Sequence, residues 1–245
     1  MQAHGAGTGS RRSWTSWRLV PLMLVTLALA PAKASADGVF NLYGGYFAVL
    51  GVESRAEGDV LLNNAGFLAF EIDDFNGGTF GADYHVGVGR FLEIGGGVGY
   101  YKQDVNSVYW DYVNENGFEI AQELQLKMVP ISLTAKLFPF GRDLPVQPYV
   151  GGGVAFVNWK YSEAGEFVDF NNDNEVFRDR FVDDGWATLP VVIAGVRFPM
   201  GDVFQFGGEF RWQDGTADLD PAKGFSGDRI DLGGYTYIAT FGFTF

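Results

Sequence analysis

The side chains able to carry out chemistry in residues 37–245 are few in kind. Cysteine is absent, which excludes a disulfide framework, a thiolate metal site and a cysteine nucleophile. The range contains one histidine, His85. A general base must reach a nucleophile by a hydrogen bond, and the local sequence His85-Val86-Gly87 places no serine beside it. We therefore predict no catalytic residue, and we also predict no metal site and no cofactor.

One acidic segment resembles the start of a calcium-binding EF-hand loop. Its alternating oxygen-bearing residues are Asp169, Asn171, Asp173 and Glu175. The sixth position is Asn174 where the loop needs glycine, and the twelfth is Arg180 where it needs glutamate. A solvated acidic loop is the better interpretation, and weak calcium or magnesium bridging to lipopolysaccharide stays a hypothesis.

Apolar and polar residues alternate with a period of two through most of residues 37–245, which indicates β-strands. Eight strands are predicted, at 38–50, 79–89, 92–103, 123–138, 147–159, 185–199, 203–213 and 230–245. From Tyr235 to Phe245 in the last strand, one face carries only Tyr, Phe and Ala and the other mostly small or polar residues. Glycines at strand centres, such as Gly95 and Gly97, are expected to make room for bulky inward neighbours. The predicted fold is all-β, an eight-stranded antiparallel up-and-down transmembrane β-barrel.

If the aromatic faces point to lipid, the opposite faces point into the lumen. The polar residues on those faces include Gln103 and Gln205. The ionisable ones form a predicted lumen polar cluster of Asp83, His85, Glu93, Lys136, Arg197, Glu209 and Arg211. Its acidic and basic members can pair, and buried charges persist only when paired. The cluster predicts either a packed plug that closes the barrel or a narrow, gated pore.

The connections between predicted strands alternate between short and long. This alternation is typical of outer-membrane barrels, which have short periplasmic turns and long external loops. Residues 51–78, 102–123, 160–185 and 213–229, counted as the long loops, carry net charges of −5, −4, −5 and −2, a total of −16. The rest of residues 37–245 is nearly neutral, as a wall embedded in lipid requires. The alternative is a soluble lipocalin-like barrel with the aromatic faces inside.

Residues 1–36 have the features of a signal peptide. Arg11, Arg12 and Arg18 precede an apolar run at 19–30 and the small-x-small site Ala34-Ser35-Ala36. Cleavage is expected between Ala36 and Asp37, leaving residues 37–245 as one barrel domain. Export of this kind predicts the cell outer membrane as the final location.

Three segments carry a resemblance to a known family. They are Met128-Val129-Pro130-Ile131-Ser132-Leu133-Thr134-Ala135-Lys136-Leu137-Phe138, Pro148-Tyr149-Val150-Gly151-Gly152-Gly153 and the terminal Phe241-Gly242-Phe243-Thr244-Phe245. Residues 37–245 resemble the outer-membrane β-barrel family of OmpA-like eight-stranded barrels. The resemblance implies that Tyr237, Phe241, Phe243 and Phe245 form the recognition signal for the barrel-assembly machinery. Longer members of that family carry a peptidoglycan-binding domain after the barrel, and such a tether to the cell wall is not expected here.

These expectations lead to a structural or surface-interaction protein of the outer membrane, without enzymatic activity. Its expected partners are outer-membrane lipid and lipopolysaccharide, the barrel-assembly machinery during biogenesis and an extracellular ligand of the acidic loops, and nucleic acid is not among them. The alternatives are a small-solute channel, a lipid A-modifying enzyme and the lipocalin-like binder. The enzyme would need His85 beside Ser132 or another hydroxyl on the outer wall.

Overall fold

The computed structural model describes residues 38–170 and 172–245. The predicted signal peptide, residues 1–36, and its cleavage site at Ala36 and Asp37 lie outside the described residues. Among the residues that are described, no helix has both the length and the apolar character needed to cross a membrane.

The described chain consists mainly of β-strands. They are β1 (Gly38–Val49), β2 (Gly77–Val88), β3 (Leu92–Val113), β4 (Glu119–Leu137), β5 (Gln147–Asp169), β6 (Glu175–Met200), β7 (Phe204–Gln213), β8 (Thr216–Asp218), β9 (Arg229–Asp231) and β10 (Gly234–Thr244). The single α-helix, α1, spans Val60–Ala65 among the residues described.

Eight of these strands form a closed barrel in the order β1-β10-β7-β6-β5-β4-β3-β2, with every neighbouring pair antiparallel. Closure satisfies the backbone hydrogen bonds of both outermost strands, since β1 pairs with β10 from Val39↔Thr244 to Val49↔Gly234. The remaining strands, β8 and β9, form a separate two-stranded hairpin. The predicted all-β, up-and-down arrangement of eight antiparallel strands is confirmed.

Two of the four predicted long loops are wrong. Residues 102–123 and 160–185 mostly continue the strands, so that β3, β4, β5 and β6 have 22, 19, 23 and 26 residues while β1, β2, β7 and β10 have 10 to 12. The long strands rise beyond the closed barrel as two tall hairpins. Their charged residues suggested loops, but period-two alternation continues through them with polar side chains outside.

The EF-hand-like segment also belongs to a hairpin. Asp169 and Glu175 are register partners at the ends of β5 and β6. Residues 172–174 lie in a turn, in which Asp173 and Asn174 take positive φ angles of 49° and 58°. Short-range pairing across this turn replaces the extended twelve-residue loop that calcium binding of the EF-hand type requires.

The two ends of the barrel differ. At one end, here named the turn end, lie residues 38 and 245 and the turns that follow β2, β4 and β6. Each of these three turns contains a glycine with a positive φ, namely Gly89 at 68°, Gly141 at 86° and Gly201 at 71°. At the other end, the segments 50–76 and 214–233 fold over and into the barrel mouth, and together they are named the lid.

The lid has local structure of its own. Asp59 caps α1 by accepting hydrogen bonds from the backbone N–H groups of Leu61 and Leu62, at 3.0 and 3.1 Å. A reciprocal capping box between Glu71 and Asp74 begins the next turn, a 3₁₀ helix at Ile72–Phe75. These caps fix two short helices whose apolar residues face the barrel interior.

Candidate functional site: the lumen and its lid

The middle of the lumen holds five ionisable side chains, here named the central cluster. They are Asp83, His85, Lys136, Glu209 and Arg211. Asp83 accepts hydrogen bonds from Asn41 Nδ2 at 2.7 Å and from Arg211 Nη2 at 3.2 Å. Its Oδ1 also lies 3.1 Å from Nδ1 of His85. One buried carboxylate therefore has three polar partners, as burial of a charge requires.

Glu209 is the second carboxylate of the central cluster. Lys136 Nζ and the Tyr149 hydroxyl each donate to Glu209 Oε2 at 2.7 Å, and Arg211 Nε donates to the other oxygen. The two cations also lie over aromatic rings, with Lys136 Nζ 5.0 Å from the Tyr149 centroid and Arg211 4.6 Å from that of Tyr43. Two carboxylates and two permanent cations thus balance in charge.

A second group, named the turn-end cluster, lies nearer the short turns and comprises Glu93, Arg142, Gln147 and Arg197. Arg197 binds Glu93 through both terminal nitrogens, at 3.1 and 2.8 Å, and donates from Nε to Gln147 Oε1 at 2.8 Å. This bidentate geometry is the strong form of an arginine–carboxylate pair. Arg142 Nη1 approaches the same carboxylate at 3.4 Å. The Phe138 ring, 4.5 Å from the Arg197 guanidinium, seals one side.

The structure places every member of the predicted lumen polar cluster on the inner face of the wall. Asp83, His85, Glu93, Lys136, Arg197 and Glu209 are buried, and Arg211 has a 16 % exposed side chain. Gln205 is inside as well and donates to Asn41 Oδ1 at 2.9 Å, whereas half-buried Gln103 reaches up to the Asp74 carbonyl. Alternation alone indicated the face, but not the pairings.

Sequence reasoning missed two polar residues that complete these clusters. Arg142 belongs to the turn after β4, so strand alternation could not assign it to the lumen. Tyr149 was not among the residues predicted to face the lumen. The structure instead buries it, 5 % exposed, with its hydroxyl on Glu209. Tyr149 lies two residues after inward-facing Gln147 in β5, so strand alternation places it on the inner face. This signal was present in the sequence.

Strand-centre glycines make the space that these side chains occupy. A Cβ atom at Gly95 would lie 2.7 Å from His85 Cγ, and one at Gly97 would lie 2.7 Å from Asp83 Cβ. Both distances are shorter than carbon–carbon contacts allow. The glycines of β3 therefore accommodate the polar residues of β2 on the crowded inner face.

His85 bridges a carboxylate and a hydroxyl. Its Nε2 lies 3.0 Å from Thr134 Oγ1, while Nδ1 faces Asp83. Ser132 lines the same small cavity, of about 50 Å³, without being the hydrogen-bond partner. All these groups face the lumen, so the arrangement that a lipid-modifying site would need, with histidine and hydroxyl together on the outer wall, is not the one formed. The geometry orients the imidazole inside the polar network.

The lumen changes character toward the lid. Residues of the lid with buried apolar side chains are Val60, Leu61, Leu68, Phe70, Ile72, Phe75, Ala217, Leu219, Ile230 and Leu232. The wall residues that share one hydrophobic core with them include Tyr101, Val105, Tyr109, Leu124, Leu126, Met128, Val157, Trp159, Tyr161 and Leu189. The lid thus closes the barrel mouth with a dry apolar core above the charged clusters.

A buried node joins the two segments of the lid. Arg55 donates from Nε and Nη2 to both carboxylate oxygens of Asp59, at 2.9 and 3.0 Å, and also to the Asp231 carbonyl at 3.0 Å. Asp59 Oδ2 in turn accepts the Asp231 backbone N–H at 2.6 Å. Asp59 is fully buried. This node, between positions 55–59 and 231, fastens the first lid segment to the second.

A polar contact also fastens α1 to the wall. Glu163 Oε1 accepts from Asn64 Nδ2 at 2.6 Å and from the Tyr161 hydroxyl at 3.0 Å. Burial raises the pKa of the Glu163 carboxyl above its usual value, and these two hydrogen bonds offset the rise only in part. The carboxyl consequently holds a proton more tightly with the lid docked than it would in water.

The outer face of the wall changes in the opposite sense to the lumen: it is apolar near the turn end and charged toward the lid. On β4, outward Ile131 and Leu133 are exposed and apolar near the turn end, while inward Lys136 is charged. Toward the lid, Glu123 points outward and Leu124 is fully buried. The alternation thus reverses its phase within one continuous strand. This reversal was present in the sequence and is the signal that would have predicted the lid.

β3 and β5 reverse in the same way. In β3, outward Ile94 and inward Glu93 give way to outward Asp104 and inward Val105. In β5, an apolar outer face ends at Phe156, and outward Lys160 follows. Register aligns the last apolar positions, because Val98, Ile131 and Phe156 are successive cross-strand partners. A single border between the apolar and the charged parts of the outer face therefore runs across β3, β4 and β5.

Comparison with known proteins gives matches among solved structures only. No protein-family model matches the chain, and no curated protein matches it. The outer membrane protein OprG of Pseudomonas aeruginosa is 13 % identical, with a TM-score of 0.47, over 87 % of this chain and 98 % of that one. Outer Membrane Protein W of E. coli is 14 % identical, with a TM-score of 0.43, over 86 % and 98 %. Neisserial surface protein A is 10 % identical, with a TM-score of 0.43, over 85 % and 97 %.

The fold itself rests on this chain's own strand pairing. Its eight strands are antiparallel, each is bonded to two neighbours, and the barrel closes between the first and last of them. The predicted resemblance to the OmpA-like eight-stranded barrels is therefore confirmed at the level of the fold.

Proposed function

We propose that this chain is an integral barrel of the outer membrane of a bacterium with two membranes, with a closed lumen and a structural or surface-interaction role. The observation that carries the proposal is the reversal of hydrophobic phase along β3, β4 and β5. A wall with apolar residues outside and charged residues inside suits lipid, whereas the reverse suits water.

The outer face of the barrel wall near the turn end is unsuited to water. Its exposed, outward side chains include Phe40, Leu42, Phe80, Ile94, Val98, Leu133, Val154, Phe206 and Phe241. Monomeric soluble proteins rarely expose such a contiguous apolar surface. A lipocalin-like binder would also need an apolar interior at this level, where Asp83, Lys136 and Glu209 lie. Lipid around the wall removes both conflicts.

The border between the two phases carries the residues expected at a membrane interface. Trp186, 64 % exposed, lies opposite Asn158 in the register, and Tyr100 lies next to the last apolar row. Amphipathic rings concentrate at this depth in barrels. Beyond the border, charged residues line the outside and the lid core fills the inside, as in a soluble protein.

The orientation follows from the same features. The turn end, with the short turns and residues 38 and 245, faces the periplasm, and the lid faces outward. Tyr237, Phe241 and Phe243 lie on the outer face of β10 and Phe245 directly follows its end, where the barrel-assembly machinery would contact them during insertion. Lipid and lipopolysaccharide would surround the finished wall.

The tips of the tall hairpins support a surface-interaction role. Trp110, Phe118 and Phe170 are 64 %, 71 % and 51 % exposed there, within an otherwise acidic surface. Exposed aromatic side chains are enriched in protein interfaces. An extracellular ligand of the acidic loops would be recognised by these tips.

The experiment that tests the proposal has two stages. Outer-membrane fractions are extracted in mild detergent, and the gel mobility of unheated and boiled protein is compared. We expect fractionation with the outer membrane and a shift on boiling, and a soluble, unshifted protein would contradict membrane insertion. The inserted protein is then placed in planar bilayers. We expect no steady conductance, because the ion-paired clusters and the lid both block the lumen, and a stable channel current would favour the small-solute channel instead.

A further inference from the structure

Three lysines stand side by side on the outer wall. Lys102 of β3 is the register partner of Lys127 of β4, which is the register partner of Lys160 of β5. Each occupies an outward position, since its chain neighbours Tyr101, Met128 and Trp159 are buried inside. Directly opposed like charges destabilise a sheet. Such a row needs a compensating partner.

Carboxylates supply little of that compensation. Lys102 Nζ lies 2.9 Å from Asp104 Oδ2, and that carboxylate also accepts from Gln125 Nε2 at 2.6 Å. Within residues 38–170 and 172–245, neither Lys127 nor Lys160 lies within ion-pairing distance of a carboxylate. Lys127 instead lies 5.5 Å from the centroid of the Tyr100 ring.

Other acidic residues lie near the row without pairing with it. Asp184 is the register partner of Lys160, and Glu123 is the outward residue two rows above Lys127 in chain order. Lys127 and Lys160 therefore face outward without a direct carboxylate partner among the residues that the structure describes. The outer faces of β1, β2, β7 and β10 carry no lysine or arginine at all, so this charge is confined to one side of the barrel.

The depth of the row identifies what lies next to it. The aromatic and amide row of Tyr100 and Asn158 is offset from the lysine row by two positions along each strand, and the apolar row is offset by two more. Each step rises about 7 Å along a strand. Lysine stems can lie along apolar surface while the ammonium groups reach the headgroup layer. The amines thus lie at the level of lipid phosphates.

We propose that Lys102, Lys127 and Lys160 bind the phosphate groups of a lipid headgroup in the outer leaflet, and that the lipid carries two phosphates. This inference rests on the proposed membrane insertion. Strands about 4.8 Å apart give the row a width of about 10 Å, wider than one phosphate. A strand tilt of about 40° spreads the row over about 6 Å of depth, which fits the headgroup layer.

The test uses native mass spectrometry of the folded, heat-modifiable protein in detergent, titrated with bisphosphorylated lipid A, monophosphorylated lipid A or inorganic phosphate. The variant is the triple change Lys102→Gln, Lys127→Gln and Lys160→Gln. The control removes three other exposed charges at the lid end: Arg178→Gln, Arg180→Gln and Lys223→Gln. We expect the lysine variant to lose about a hundredfold in affinity for the bisphosphorylated lipid, about fivefold per amine, and the control to lose less than threefold.

Several outcomes would overturn the inference. These are an unchanged affinity in the lysine variant, an equal loss in the control, equal binding of both lipid A forms, or displacement of the lipid by millimolar inorganic phosphate. A wild-type protein that inserts into vesicles without preferring phosphorylated lipid overturns this inference alone. A protein that fails to insert overturns the proposed function as well, so the two failures are distinguishable.

Discussion

The lumen near the turn end and the lumen beneath the lid are lined by the same strands but filled in opposite ways. Near the turn end, β4 contributes Lys136 and Thr134 to a charged network. Beneath the lid, it contributes Leu124 and Leu126, both fully buried, to an apolar core. Under the proposed membrane insertion, the different media outside the wall explain why its interior is filled in opposite ways.

The physical reason is that a strand has only two faces. Where lipid covers one face, that face takes the apolar residues, and polar residues are tolerated inside provided that they pair. Where water covers the outer face, the inner face must supply the hydrophobic driving force. The lid provides the second surface that this apolar inner face requires.

The largest effect is expected from disrupting the charged network of the central cluster. Glu209→Gln leaves Lys136 and Arg211 without their shared carboxylate, and removal of one partner of a buried ion pair costs about 3–5 kcal/mol. The measurement is the free energy of unfolding by urea in lipid vesicles. Glu123→Gln, on the outer wall, is the control and should change it by less than about 0.5 kcal/mol. Equal losses would mean that the network does not stabilise the barrel.

Disrupting the apolar core beneath the lid should lower stability by nearly as much, but the effect should be confined to the lid. Leu61→Ala removes a fully buried side chain from the lid core, at a cost of about 2–5 kcal/mol. We expect faster proteolysis within residues 50–76 while the boiling shift of the barrel persists. Val52→Ala, at a 61 % exposed position of the same segment, should leave cleavage unchanged. Loss of the boiling shift in Leu61→Ala would show that the lid core and the charged network unfold as one unit.

The border between the apolar and the charged parts of the outer face can be tested by placing the same charge at two positions along β4. With the proposed insertion, Leu133→Arg places a cation against lipid and should destabilise the barrel by about 2–4 kcal/mol. Gln125→Arg places the same cation on the same face of β4 beyond the border and should be nearly neutral. Urea unfolding from vesicles measures both. Similar values for the two variants would contradict the assignment of the border.

The smallest effect concerns the pH dependence of lid docking. The pKa of Glu163 is raised by burial, so the docked lid binds the proton more tightly than the open lid does. Docking should therefore strengthen as the pH falls from above the raised pKa toward the usual value of 4.5, and weaken as the pH rises through it. The expected change in hydrogen-exchange protection of α1, corrected for intrinsic rates, is under about tenfold.

The variant Glu163→Gln isolates that contribution. Glutamine keeps an acceptor for Asn64 and Tyr161 but cannot titrate. The burial-raised pKa of Asp231 acts in the same direction and stays in both proteins. Protection in the variant should therefore depend less on pH than in the unchanged protein. Identical pH profiles would assign the whole dependence to other groups.

Much of the barrel was predictable because strand alternation is a local property. The eight strands, the outward aromatic face of β10 and the inward polar positions could all be read from residues two apart. The tall hairpins were not predicted, because charged outward residues in β3 to β6 were interpreted as loops. The reversal of phase between Leu126 and Ile131 was visible, but its meaning depends on what covers each face.

Which residues share a face follows from the sequence alone, since neighbours in a strand alternate whatever the strand pairs with. Which faces meet depends on the tertiary structure. It paired Glu93 with Arg197, brought Arg142 in from a turn, joined positions 55–59 to 231 and aligned the three lysines in one row. These contacts join residues far apart in the chain, and strand register and lid docking set them through the burial of surfaces that no single segment possesses.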